Sequence, residues 1–387
     1  MTSKPRIGIV GAGIGGLTAA LALRSRGFEP VVFEKAGALR EVGAGLTINA
    51  RAAQVLYALG LKAAFETLEP PTPSFGTLDP VSGERLNVEE RDLVAYERRY
   101  GALTRHVHRA DLHGLLCSTL PVDSIFLNHE LVDVEVAEDR TGLTFANGQT
   151  EIFDLVVACD GLKSVVRQQC FHSDDARFTG FVAWRGLVPA AAVGGEGMDP
   201  HFATYASKDR LFARYPVRRG ELINYVAIAR KPELTRESWQ QRAPVADVLA
   251  AFENWHPSVR ELIAATPREE CLCWALYTRP TLERWVTSSI GLLGDAAHPM
   301  TPFYGMGAAL AIEDGYILAR CLEASGSDAA EALTRYQAAR LPRGNHLQTI
   351  SLQRAEAYMG VDPSERSQLP AEGLEDVMAY NPITVSV

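Results

Sequence analysis

A turn of glycines between an apolar strand and an apolar helix constrains this chain more than any other feature. Arg6-Ile7-Gly8-Ile9-Val10 reads as a buried strand, and Gly11-Ala12-Gly13-Ile14-Gly15-Gly16 follows at once. Leu17, Ala20 and Leu21 then mark the inner face of a helix that Gly27 ends. A second apolar run, Val31-Val32-Phe33, closes in Glu34 and Lys35. Strand, turn, helix and strand make a βαβ unit in which the glycines have separate tasks. Gly11 takes the tight turn, Gly13 lets the backbone approach a pyrophosphate and Gly16 lets helix and strand pack closely, and these three with Gly15 are expected at the cofactor. The helix start offers unpaired N–H groups and the positive end of its dipole to phosphate. Glu34 lies 18 residues beyond Gly16, where a carboxylate can accept hydrogen bonds from ribose hydroxyls. A glycine turn serving packing alone would leave Glu34 without a reason. The unit is expected to bind a dinucleotide, and by itself it does not separate NAD from FAD.

Two later segments repeat part of this logic. Asp160-Gly161-Leu162-Lys163-Ser164 follows the apolar strand Leu155-Val156-Val157-Ala158, and Gly294-Asp295-Ala296-Ala297-His298-Pro299 follows Ile290-Gly291-Leu292-Leu293. Each sets an aspartate at the C-terminal end of a buried strand, the edge at which open α/β sheets hold ligands. Pro302-Phe303-Tyr304-Gly305-Met306-Gly307-Ala308 then leads into a helix expected from about Met306 to Leu322.

Between these motifs the pattern changes. Helices are expected over Ala52–Leu59 and Asp111–Leu120, with a looser stretch from Pro70 to Gly101 and a hairpin turn at Asn147-Gly148. From Phe178 to Arg230, short apolar runs separated by turn residues read as an antiparallel meander, and a single helix is expected over Val245–Ala265. The tail after Tyr358 is the least patterned part.

Composition excludes several classes. A net charge of −9 with no lysine or arginine block argues against a nucleic-acid partner. No apolar run is long enough to span a bilayer, and the first strand leaves no room for a signal peptide, so a cytoplasmic protein is expected. The six scattered cysteines read as reduced thiols. Neither Cys271-x-Cys273 nor His106, His108 and His113 comes with the further ligands of a metal site, and no metal is expected.

With these three motifs in this order, the chain resembles the single-component flavoprotein aromatic hydroxylases, the group of the p-hydroxybenzoate, salicylate and 6-hydroxynicotinate enzymes. The resemblance runs from Ile7 to about Leu322. It implies an α/β fold, with a Rossmann-type FAD-binding domain interleaved with an antiparallel-sheet substrate domain and a helical C-terminus. The FAD-binding domain would comprise 1–75, 101–175 and 281–355, the substrate domain 76–100 and 176–280, and the C-terminal tail 356–387. The resemblance further implies that Asp295 holds the ribityl chain and that Arg109 contacts the ribityl–phosphate region. Leu131 would bond the adenine through its backbone. Asp160 would lie at a crossover associated with both FAD and NAD(P)H. Ala44 and Gly45, in Val42-Gly43-Ala44-Gly45-Leu46, would line the isoalloxazine pocket together with Thr47. The glycines Gly294, Gly305 and Gly307, with Met306 and Ala308, complete the expected cofactor shell. A helix starting there would direct its positive end at the flavin and stabilise the charge of the reduced ring.

The implied activity is hydroxylation of an electron-rich aromatic or N-heteroaromatic ring, of the phenol, hydroxybenzoate or hydroxypyridine type. It would use NADH or NADPH and O2 through a flavin C4a-hydroperoxide. Tyr215 and Pro302 are the candidates for catalysis, Tyr215 as the group that activates the substrate hydroxyl. On the run Leu211–Val217, Tyr215 shares a face with Leu211 and Ala213 and not with Arg214. Two departures bear on the substrate: Met306 stands where the family usually has Gln, and Ile48-Asn49 where it usually has Pro-Asn. Thr47 stands where the hydroxynicotinate enzymes carry a His. Two other readings stay open, a flavin oxygenase of a bulky or non-aromatic substrate and a non-catalytic flavin-binding redox protein. A monomer or homodimer is expected.

Overall fold

A computed structural model describes residues 4–39, 43–171, 176–193, 198–231, 241–360 and 374–387; Val42 and much of the tail lie outside them. Its first sheet has five parallel strands. In spatial order they are Ile290–Leu292, Leu155–Ala158, Ile7–Val10, Val31–Phe33 and Ile125–Phe126. The central strands are apolar at every position and fully buried, as sheets covered on both faces require. The chain leaves Ile7–Val10 toward one side for its second strand and later returns on the other side with Leu155–Ala158. The strand order therefore reverses beside Val10. Register places Val10 opposite both Phe33 and Ala158, and Ala158 opposite Leu292. Four strand ends distant in sequence thus form one edge.

A second sheet of eight strands stands apart from the first. Its middle is the Phe202–Ala206, Arg210–Val217 and Leu222–Arg230 meander, paired antiparallel throughout. The sheet is larger than the meander read from sequence. Arg177–Pro189 and Leu272–Thr278 extend it on one side, and Ser74–Leu78, parallel to Phe202–Ala206, with Arg85–Glu90 extends it on the other. The loosely patterned stretch from Pro70 to Gly101 is therefore an edge hairpin followed by the helix Leu93–Tyr100. Its outer strand, largely exposed, carries charge rather than alternation, which hides it from periodicity. The single helix expected over Val245–Ala265 is two, Val245–Ala251 and Pro257–Ala264. The first helix has ended by its C-cap Phe252, and Pro257 opens the second at a first-turn position where its missing N–H costs nothing, with His256 as the N-cap.

The apolar helix Gly307–Ala324 packs against the glycine-turn helix Ile14–Arg24 and carries two acids, Glu313 and Asp314, that are wholly buried. Both are answered by the C-terminal helix Ala329–Gly360. Arg340 donates from Nε to Asp314 Oδ1 at 2.7 Å and from Nη1 to Glu313 Oε2 at 2.9 Å. Arg343 adds two bonds to Glu313, at 2.9 and 3.1 Å. Asp314 Oδ2 in turn meets His298 Nε2 at 2.6 Å and accepts from the Gly294 backbone at 3.1 Å. Burial alone would raise the Asp314 pKa, but Arg340 and His298 hold it at about 2.

Removing one partner of such a cluster leaves a charge uncompensated in the core. Arg340→Met is expected to lower unfolding free energy by about 3–5 kcal/mol in a denaturant titration. The sign of the pH effect follows from the depressed Asp314 pKa. Its stabilisation is complete above the unfolded value of roughly 4 and is lost as pH falls toward about 2. Without Arg340, the acid-unfolding midpoint should move to higher pH.

Candidate active site

The aligned strand ends open into a cavity of about 1340 Å³ that runs from the glycine turn to the second sheet. Gly11, at φ +101°, has its backbone against the next strand, and a Cβ there would meet Cys159 O at 2.4 Å. A Cβ at Gly16 would lie 2.0 Å from Gly11 O, so Gly16 serves packing and does not line the cavity. Gly13 differs, since a Cβ there would meet nothing within 4 Å. It opens the helix Ile14–Arg24, whose start has no side-chain cap, and with Gly11 and Gly15 it faces the cavity. Glu34 and Lys35 line the same end. Both Glu34 oxygens already accept backbone bonds at 2.9 Å, from Ala12 and Ala36, which aims the carboxylate and leaves further lone pairs for a hydroxyl.

Leu131 and Arg109 border the cavity between this end and the middle. Arg109 starts the helix Arg109–Thr119, and its N–H bonds Ala44 O at 2.7 Å. Ala44 itself is buried behind the wall and does not line the cavity, whereas Gly45 and Thr47 do. Asp160 Oδ2 accepts from the N–H groups of Val165 and Val166, while Oδ1 is sealed from solvent with no hydrogen-bond partner. Burial pushes the Asp160 carboxyl above the usual range, against the pull of Ser164 and the neighbouring N–H groups. Asp295 is exposed and lines the cavity. Desolvation by the surrounding walls raises its pKa, with His298 and Arg109 opposing.

The far wall is made by Pro302–Tyr304, a single 3-10 turn, and by Gly305 at φ +61°. Gly305 lies against Thr47, Oγ1 being 3.3 Å from where a Cβ would sit. The 18-residue helix Gly307–Ala324 then begins without a side-chain cap, with Met306, Gly307 and Ala308 on the cavity. Met306 Sδ accepts from Asn49 Nδ2 at 3.2 Å, and Asn49 also caps the helix Ala50–Ala58. Met306, one departure from the family pattern, thus touches Asn49, the retained residue beside the other departure, Ile48.

The second sheet closes the site. Leu211, Ala213 and Tyr215 share its cavity face, while Arg214 points away and bonds Pro200 O at 3.0 Å. Tyr215 stacks on Phe202 at 5.6 Å and lies 4.4 Å from the His106 ring. Only a glycine at position 45 admits it, since a Cβ would meet the Tyr215 ring at 2.3 Å. Burial pushes the Tyr215 phenol well above its ordinary pKa. Burial first, then His201 and Arg91, brings His106 down to about 3, so its ring is neutral. The three histidines part company: His106 bonds Thr72, His108 faces Asp111 and His113 bonds Ala12 O. Two contributors escaped the sequence reading, His106 as a wall of the reaction site and Arg91 near its rim. The alternation of Arg105–His108 was the only available signal for His106.

A ligand with phosphates at one end suits this cavity. Two uncapped helix starts face it, and Gly13 leaves room at the first. Fold and cavity together define a Rossmann-type dinucleotide-binding protein with a substrate sheet closing its site. The family described as FAD binding domain matches residues 4–351. Among similar proteins, the 3-amino-4-hydroxybenzoate 2-monooxygenase of Streptomyces cremeus is 35% identical, over 91% of this chain and 87% of its own. The 6-hydroxynicotinate 3-monooxygenase of Bordetella bronchiseptica is 32% identical over 91% of each. The structure of Klebsiella pneumoniae HpxO, complexed with FAD and uric acid, superposes with a TM-score of 0.85 at 26% identity, covering 98% of this chain and 96% of that one. The chain belongs to the single-component FAD-dependent aromatic monooxygenases, and its cofactor is FAD.

The two glycines give separable outcomes. Gly13→Ala, at φ −73°, should leave thermal stability unchanged yet weaken FAD binding at least about tenfold in a fluorescence titration, by filling the phosphate space. Gly11→Ala should instead destabilise the apoprotein by about 1–3 kcal/mol, because it strains the backbone at a positive φ.

Proposed function

We propose that this protein hydroxylates a phenol, hydroxybenzoate or hydroxypyridine, using NADH or NADPH and O2. The observation that carries the reading is that Tyr215, with Phe202 and His106, lines the same cavity as the Pro302–Gly305 loop and the start of the Gly307–Ala324 helix. The turn Gly11–Gly16 with Glu34 and Lys35 would hold the ADP half of FAD, and Leu131 the adenine. Arg109, Asp160 and Asp295 would hold the pyrophosphate and ribityl chain. Gly45, Thr47 and the segment Gly294 to Ala308 would surround the flavin ring. Bound there, FAD supplies the redox chemistry, taking a hydride from the nicotinamide and delivering one atom of O2 to the substrate.

The protein's share is binding, orientation and proton placement. Phe202, Leu211, Ala213, Val226 and Ile228 present an apolar face to the substrate ring and keep water from it. Tyr215 keeps its proton at neutral pH because burial raises its pKa. It therefore serves as a hydrogen-bond donor to the substrate's ring oxygen, favouring the electron-rich phenolate, rather than as the base that removes the proton. The uncapped helix start at Gly307 offers its positive end to negative charge on the reduced cofactor.

Purified FAD-loaded protein should oxidise NADH or NADPH faster when given 3-amino-4-hydroxybenzoate, 6-hydroxynicotinate or salicylate, with O2 uptake and a product heavier by one oxygen. FAD binding without stimulation by any such ring would instead favour the bulky-substrate oxygenase or the non-catalytic redox protein. Tyr215→Phe should retain FAD and slow hydroxylation about 100-fold, and unchanged turnover would return Tyr215 to a packing role.

A further inference from the structure

Arg91, on the cavity wall, lies against two aromatic rings. Its guanidinium carbon lies 4.1 Å from the Phe75 ring centroid and 4.4 Å from that of Tyr96. The backbone N–H of Arg91 bonds Pro73 O, and Nε bonds the exposed carboxylate of Glu89 at 3.3 Å. Neither Nη1 nor Nη2 has a hydrogen-bond or ion-pair partner among the described residues. The side chain is nonetheless only 12% exposed, and it lines the cavity. Glu90 and Asp92 border the same cavity without pairing with Arg91: Asp92 caps the helix Leu93–Tyr100, and Glu90 is exposed.

A guanidinium so placed has lost much of its water without gaining a partner for its two terminal nitrogens. Those nitrogens form a planar fork that matches a carboxylate in two parallel hydrogen bonds, an arrangement that a lysine cannot reproduce. From Arg91 the wall continues as aromatic rings. Phe75 meets Phe202 at 5.5 Å, and Phe202 meets Tyr215 at 5.6 Å. A benzoate ring lying along this wall would carry its carboxylate at Arg91 and its hydroxyl at Tyr215. We propose that the substrate is an aromatic carboxylic acid and that Arg91, through Nη1 and Nη2, is the residue that binds its carboxylate. The inference rests on the aromatic-hydroxylase reading and specifies its substrate class. It also assigns a residue on the Arg85–Tyr100 edge segment, outside every motif, to specificity.

The test is equilibrium binding to the oxidised, FAD-loaded protein without nicotinamide, read by flavin difference spectra. Matched probes differ only in charge: 4-hydroxybenzoate against 4-hydroxybenzamide, and 3-amino-4-hydroxybenzoate against its amide. Wild type should bind each acid about 10- to 100-fold more tightly than the amide, the worth of a charge-assisted pair. Arg91→Met should abolish that ratio while leaving amide affinity and FAD content within about twofold. Arg91→Lys, which keeps the charge without the fork, should give an intermediate ratio and covers the case in which the methionine variant folds poorly. Equal binding of acid and amide by wild type would overturn the proposal. So would a ratio that survives in both variants, or one that is lost instead in Arg354→Met, a change at another cavity-lining arginine, whose guanidinium carbon lies 4.4 Å from the Tyr304 ring centroid. A variant altered only in its KM for NADH would assign Arg91 to the nicotinamide and also overturn it. Failure of wild type to bind any of the four rings would count against the aromatic-hydroxylase reading itself and take this inference with it.

Discussion

Parallel hydrogen bonding of the Ile7–Val10 strand to a neighbour on each side determines where the rest of the site lies. Because the register is in phase, Val10, Phe33, Ala158 and Leu292 end at one level, and the residues that follow them emerge together. Gly11, Glu34, Asp160 and Asp295 are neighbours for that reason alone. A parallel sheet of this kind must be covered on both faces, which explains why its strands are uniformly apolar. The reversal of strand order beside Val10 leaves the crevice in which such folds hold ligands.

The edge needs support from outside the sheet, and the buried ions provide it. Asp314 bonds the backbone of Gly294, the residue before Asp295, and so links the cofactor loop to Arg340 on the C-terminal helix. Glu313 ties the same helix through Arg340 and Arg343, with the ring of Tyr380 over both arginines. Charges enclosed in a core are expensive, and the cost is offset because both oxygens of Glu313 and Asp314 and all three guanidinium nitrogens of Arg340 have directed partners. Such a network is unforgiving of the loss of one member. It thereby makes the loop's position depend on a helix that begins more than thirty residues later.

Opposite this rigid edge, the reaction wall is aromatic and neutral. Tyr215 keeps its proton and His106 stays uncharged, both through burial. Neutral donors in a dry site stabilise charge on a substrate oxygen without bringing a competing charge of their own. Thr47 and Gly305 bring the strand after the glycine-turn unit against the Pro302 loop. Asn49 and Met306 make the adjoining contact, so the unusual Met306 is held by a residue that the family pattern retains.

The glycine turn, the acid at the end of the second strand and the two later aspartate loops were legible because each is local. A turn, a helix start and a strand end are specified by a few consecutive residues, whose spacing survives in one dimension. Even the face of Tyr215 could be read, since strand alternation alone sets it. What the sequence by itself determined is therefore the cofactor end of the molecule and the class of chemistry. Only the tertiary structure decided which pieces meet. The edge segment carrying Arg91 joins the substrate sheet through a parallel pairing with residues far along the chain. The Arg340–Asp314 cluster depends on the packing of two helices, and His106 becomes a wall residue only beside Phe202 and Tyr215. Gly16 and Ala44, read from sequence as cofactor contacts, are buried instead in the packing behind the cavity. The physical reason is common to all of these. Pairing across distant strands and the burial of charge depend on neighbours in space, and neither leaves a periodic trace along the chain.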